Sequence, residues 1–140
     1  MAESLKAWLS ENPPDDGLFT ASIAGTARRL RAGEPLSDSI KELLDELALM
    51  NPSQIQRAIS ERPEDTGDER HNAYLGALAE HIAAVHHVRR PEWSHEPDRF
   101  LNTFWFLSEV KGFRALALVE SPAAFRRRGV FISSGSLIRV

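Results

Sequence analysis

Cysteine is absent from this 140-residue chain, and with it go thiolate zinc sites, iron–sulfur clusters, thiol nucleophiles and disulfides. Any metal has to be held by His and carboxylate groups alone. Long apolar runs are lacking too: none approaches the roughly 18 residues of a membrane-spanning helix. The opening MAESLKAWLSEN carries neither the basic region nor the apolar stretch of a signal peptide. A cytoplasmic protein with no membrane contact is the expectation. No repeat period, low-complexity tract, Gly-rich phosphate loop or Gly-x-Ser-x-Gly elbow occurs, which excludes repeat architectures and leaves no motif for nucleotide cradling or serine-based acyl transfer.

The 42% hydrophobic and 26% charged residues suffice for one globular domain over 1–140. The net charge of −3 conceals an asymmetry. Residues 1–80 hold 8 Lys/Arg against 15 Asp/Glu, a balance of −7, whereas residues 81–140 hold 9 against 5, a balance of +4. Of the 11 aromatic residues, 8 lie from Trp93 onward. The chain thus reads as an acidic helical part over 1–90 and a basic, aromatic part over 91–140. Such asymmetry points either to a partner surface or to acidic helices packed on a basic segment within one fold.

Apolar spacing and punctuation predict an all-α domain of six to eight helices, with room for one short extended pair near the C-terminus. A first helix is expected over 2–11, closed by Asn12-Pro13-Pro14, with a turn at 15–17. The next covers 22–31, with Ile23, Ala27 and Leu30 on one face and Gly33 as its stop. The clearest covers 36–50, capped by Ser37 or Asp38, with Leu36, Ile40, Leu43, Leu44 and Leu47 facing inward. Asn51-Pro52 supplies a cap and a first-turn proline for 52–61. The longest segment, 68–88, sets Tyr74, Leu75, Leu78, Ile82 and Val85 on one stripe. Residues 92–97 read as a polar linker. Between 104 and 119 a hairpin and a pair of helical turns fit equally, with Ala and Leu favouring helix over 114–120. Phe104, Trp105, Phe106 and Phe113 read as core. Ser121-Pro122 starts a helix over 122–128 that Gly129 ends, 130–132 reads as extended, and Ser133-Ser134-Gly135 turns into a final segment over 136–140.

Candidate chemistry is sparse. Glu80, His81, His86 and His87, with His71 or His95, are the metal candidates, but His81 and His86 are five residues apart, about 140° around a helix, so the spacing assigns no metal site. The carboxylates Glu42, Asp45 and Glu46 read as a solvated helix face. No catalytic residue and no cofactor is expected. On the 52–61 helix, Gln54, Gln56 and Arg57 have the types and placement of nucleic-acid contacts, set against the acidity of that half. The basic run Arg126, Arg127 and Arg128, preceded by Phe125, suits phosphate or carboxylate. Alternatively one or two of these arginines pair with Glu120 or Glu109. Trp93 and Phe125 are the aromatic candidates for the surface.

Three stretches carry a resemblance: ARRLRAGEPLSDSIKELLDELALM, ERPEDTGDERHNAYLGALAEHIA, and PEWSHEPDRFLNTFWF with FRALALVESPAAFRRRGVFIS. They resemble a family of small uncharacterised actinobacterial helical proteins. Its hallmarks are an "LLDELALM" helix end, a "TGD" loop before "YLGALAEHIA", and an "ESPAAFRRRGVFI" tail. The resemblance implies a mostly helical fold. It also implies a setting similar to the antitoxin member of a toxin–antitoxin module, the co-encoded partner being nucleotidyltransferase-like, and it supplies no catalytic motif. The leading expectation is therefore a non-enzymatic, antitoxin-like protein–protein interaction module. It would meet its partner through Trp93, Phe125, Arg126, Arg127 and Arg128. A DNA-binding regulator using the 52–61 helix is the alternative, and a small metal-dependent enzyme comes third.

Overall fold

In a computed structural model that describes residues 21–108 and 114–133, the chain is predominantly α-helical. Its order is α1 (Ile23–Arg31), α2 (Leu36–Leu47), α3 (Pro52–Ser60), α4 (Glu69–His86), two 3-10 turns (Glu92–His95 and Pro97–Arg99), β1 (Trp105–Phe106), α5 (Arg114–Glu120), α6 (Ala123–Arg127) and β2 (Val130–Phe131). The expected 2–11 helix, the 15–17 turn, Phe113 and the 136–140 segment lie outside the described residues.

Helices α1, α3 and α4 each start where a polar side chain accepts from the amides of the first turn. The Ser22 hydroxyl accepts from the Gly25 amide at 2.9 Å and opens α1. Asn51 and Gln54 form a reciprocal capping box around Pro52 and open α3. Asp68 accepts from the Arg70 and His71 amides and opens α4. The start of α2 departs from expectation. Pro35 is its cap, no side chain bonds the first turn, and Ser37 and Asp38 fall inside the helix. There Asp38 still complements the positive end of the helix dipole. That helix also stops at Leu47 rather than residue 50: the chain tightens there, the Leu49 and Met50 amides donating to the Glu46 and Leu47 carbonyls, and Asn51, which precedes a proline, is extended at φ −82°, ψ 169°.

The core is organised around α4. Every residue from Asn72 to Glu80 is buried, on all sides of the helix, and Val85 at its end is 43% exposed. The expected single stripe is thus replaced by full encirclement. Helices α1, α3 and α6, both 3-10 turns and β2 all pack on α4. A helix surrounded in this way needs small residues where neighbours approach, and Ala73, Gly76, Ala77 and Ala79 supply them. His87 adopts a left-handed conformation at φ 54° and ends the helix.

The segment expected as a polar linker is packed instead. Trp93 is 6% exposed, and its indole N–H donates to the Ile59 carbonyl at 3.0 Å. Farther on, β1 and β2 form a parallel pair with Trp105 opposite Val130 and Phe106 opposite Phe131, which replaces the hairpin alternative. Parallel strands need a crossover, and α5 and α6 lie within it. Pro122 caps α6 and the helix begins at Ala123. Ser121, expected to cap that helix, instead accepts from the Ile132 amide at 2.8 Å through its hydroxyl and so ties the crossover to the end of β2. Phe104, expected in the core, is 71% exposed, while Trp105 and Phe106 are half-buried.

Candidate functional site

The acidic and basic parts of the chain meet at Glu80. Its carboxylate is 9% exposed, on the turn of α4 that faces the 3-10 segment and α6. Arg128, completely buried, reaches Glu80 Oε2 through Nη1 and also donates from Nη1 to the Ala124 carbonyl at 2.8 Å and from Nη2 to the Ser94 carbonyl at 2.6 Å. Its guanidinium carbon lies 4.7 Å from the Phe100 ring centre. Arg127 Nη2 donates to Glu80 Oε1. His95 Nε2 stands 3.4 Å, and Arg90 Nη1 3.6 Å, from that same oxygen.

Burial by itself raises the Glu80 carboxyl. The hydrogen bonds and charges of Arg128 and Arg127 outweigh it and hold the group below the ordinary glutamate value. Burial lowers the Arg128 guanidinium, and Glu80 counteracts this. Burial and the Arg90 charge push His95 below the usual histidine value despite the nearby carboxylate.

A second buried arginine lies beside the first. Arg99, 4% exposed, donates to the Asn72 carbonyl and to the Pro63 carbonyl at 3.2 Å each, and its guanidinium carbon lies 5.0 Å from the Trp93 ring centre. Gly76 admits both arginines. A Cβ there would stand 2.9 Å from Arg99 Cβ, closer than side chains tolerate, and 3.2 Å from Arg128 Nε, which would have to give way slightly. Arg128 Nε, pressed against this glycine, has no hydrogen-bond partner among the described residues.

These placements correct the expected partner surface. Trp93 is inside, and Phe125 is fully buried edge-on to Tyr74, with ring centres 5.2 Å apart. Arg128 is inside as well, because only there can it serve two carbonyls and Glu80 together. Arg126 and Arg127 remain at the surface. Arg127 and Arg128 converge on Glu80, and Glu109, one of the two expected partners, lies outside the described residues. Among the nucleic-acid candidates, Gln54 is buried in its capping box. Gln56 clamps the Arg89 backbone, accepting from its amide at 2.7 Å and donating to its carbonyl at 2.8 Å. Arg57 is exposed. Among the described residues no three His, Asp or Glu side chains gather as metal ligands.

Reading the sequence missed the Glu80 hub and the roles of Arg90, His95, Arg99 and Gly76. One signal was present: Glu80 interrupts the apolar run YLGALAEHIA, and a lone carboxylate inside such a run calls for a buried cation.

A different surface stands out on the opposite criterion. Helix α5, sequence RALALVE, turns Ala117 inward and leaves Leu116 45%, Leu118 46% and Val119 78% exposed. An open groove of about 380 Å³ runs beside it, walled by Phe106, Leu107, Leu116, Phe131 and Ile132. Compared with protein-family models, with curated proteins and with solved structures, the chain matches none.

Proposed function

We propose that this chain is a non-enzymatic protein-interaction module that docks a partner protein through the apolar face of α5 and the groove beside it. One observation carries the reading: a seven-residue helix exposes three large aliphatic side chains, Leu116, Leu118 and Val119, while burying an alanine. Contiguous apolar surface of that kind is costly to hold in water and marks docking sites. Phe104, 71% exposed, adds an aromatic group to the same third of the chain. The resemblance to the antitoxin-like family names the partner to try first, the co-encoded nucleotidyltransferase-like protein, which the module would neutralise by covering it.

The test is co-expression of the chain with that neighbour, followed by affinity capture and titration. A stable complex is expected, and Leu116→Asp or Val119→Asp should weaken it about tenfold or more, the consequence of losing an apolar anchor. Val119 is 78% exposed, so Val119→Asp should change the melting temperature of the free protein little. Absence of a complex in a host where the neighbour is toxic, or a complex indifferent to both substitutions, overturns the proposal.

A further inference from the structure

The ion-pair cluster around Glu80 is not neutral. Among the described residues, one carboxylate faces the guanidinium groups of Arg128, Arg127 and Arg90, which leaves a surplus of two positive charges even with His95 uncharged. Burial divides the cluster into two layers. Arg128 and Glu80 form the inner layer at 0% and 9% exposure, whereas Arg127 at 58%, Arg90 at 53% and His95 at 37% form the outer one. The three outer side chains come from three places, α6, the loop after α4 and the first 3-10 turn. They share one anchor, Glu80 Oε1.

We infer that the outward faces of Arg90, Arg127 and His95 form a receptor for an acidic side chain of the docked protein. The site already accepts a carboxylate on its inner side, since Glu80 occupies it. Each guanidinium carries five N–H donors in a fixed fork, more than a single carboxylate oxygen at this distance engages. Long cationic side chains normally lose rotamer entropy when they clasp a ligand, and the shared contact with Glu80 holds these in place beforehand.

Charge distribution selects the occupant. A nucleic acid presents a row of phosphates, whereas these three cations converge on one point, Glu80 Oε1, and the chain around them mixes both signs, with exposed Glu92 and Asp98 beside exposed Arg89 and Arg126. A convergent site of this kind matches a single Asp or Glu side chain, while a row of phosphates calls for cations spread along a groove. The inference deepens the docking reading and rests on it for the choice of a protein as the source of the carboxylate.

The experiment uses the full chain and needs no co-encoded protein, so its failure is separable from failure of partner capture. Backbone amide chemical shifts are followed by NMR at low salt while a blocked hexaglutamate peptide is added, with inorganic phosphate and a double-stranded DNA oligonucleotide as parallel titrants. Saturable shifts at Arg90, His95 and Arg127 are expected with the peptide, weakening as salt rises. Arg90→Gln and Arg127→Gln should each weaken binding about twofold to fivefold, the range for partly exposed charge pairs. Arg28→Gln, on the exposed side of α1, should leave it unchanged. Both outer-layer substitutions keep the Glu80–Arg128 contact, and unchanged amide dispersion elsewhere verifies that the fold is intact. Lack of saturable shifts at these three residues overturns the inference. So does tighter DNA binding at the same residues, which assigns the surface to nucleic acid, or phosphate binding as tight as the peptide's, which assigns it to a free anion.

Discussion

Two regions of this molecule use the same pair of residue types to opposite effect. On the outer side of α1, Arg29 is held by Glu34 and Glu42, with side chains 35%, 46% and 65% exposed. At α4, Arg128 is held by Glu80 with both side chains almost out of water. At the surface, water competes for each charge and salt screens the attraction, so the pair adds little. In the interior neither ion can be released into solvent without opening the fold. There the pair contributes less by its own attraction than by the penalty that follows when one member is missing. The contrast bears on how a chain with separated charge balances holds together: among the described residues the acidic and basic parts share one buried ion-pair cluster, at Glu80, and an exposed pair, Arg62 with Glu96.

The sharpest way to break that comparison is to remove one member of the buried pair. Glu80→Leu leaves the Arg128 guanidinium buried against two carbonyls with no counter-charge, and Arg128→Met strips Glu80 Oε2 and the Ser94 and Ala124 carbonyls of their donor. Each should lower unfolding free energy by about 3–5 kcal/mol, measured by urea titration. The double variant should cost clearly less than the two single losses combined. Additivity would mean that the two side chains are not coupled. Acid adds a second readout. Because the Glu80 value is depressed on folding, its contribution is complete above the unfolded-chain value, about 4.3, and is lost as pH falls through the lower folded value. Glu80→Gln should therefore flatten the acid side of the stability profile, and an unaltered slope there would count against the assignment.

Gly76 sharpens the same comparison from the backbone side. In an isolated helix, Gly→Ala gains about 1 kcal/mol of propensity. Here the new methyl meets Arg99 Cβ at 2.9 Å, an atom close to its own backbone that has little room to retreat. Overpacking of this kind costs roughly 1–3 kcal/mol. The net result of Gly76→Ala should be a lower urea midpoint, and a higher one would show that the arginines are less closely seated.

Much of the helical framework was legible in the sequence because it rests on local rules. Asn51-Pro52 starts α3 as expected, and Ala and Leu favoured helix for α5, whereas the caps expected of Ser37 or Asp38 and of Ser121 fell to Pro35 and Pro122. What escaped was decided over long range. A parallel pair joins Trp105–Phe106 to Val130–Phe131 across an intervening crossover, and no local pattern encodes such a pairing. The candidate site failed for a related reason. An Arg-Arg-Arg run looks solvated when read alone, yet Arg128 lies 48 residues from its carboxylate in sequence. Trp93 likewise looked like an exposed anchor in a polar stretch until its indole found the Ile59 carbonyl. Burial of a polar or aromatic group depends on a distant partner, and that partner is invisible to a window of neighbouring residues.

The smallest expected effect completes the comparison. Arg29 touches two glutamates, one more carboxylate than Arg128, and those contacts raise its guanidinium above the ordinary value, the Glu34 hydrogen bond first and the Glu42 hydrogen bond second. If the number of ionic contacts governed stability, Arg29→Ala would be the more damaging change. Solvent decides otherwise: alanine leaves Glu34 and Glu42 free to be hydrated, it introduces the best helix former into α1, and no interior charge is left unpaired. Arg29→Ala should therefore melt within error of the wild-type chain at physiological salt, and any difference seen at low salt should vanish as salt is added. A loss comparable to that of Arg128→Met would show that contact number, rather than burial, sets the worth of an ion pair in this fold.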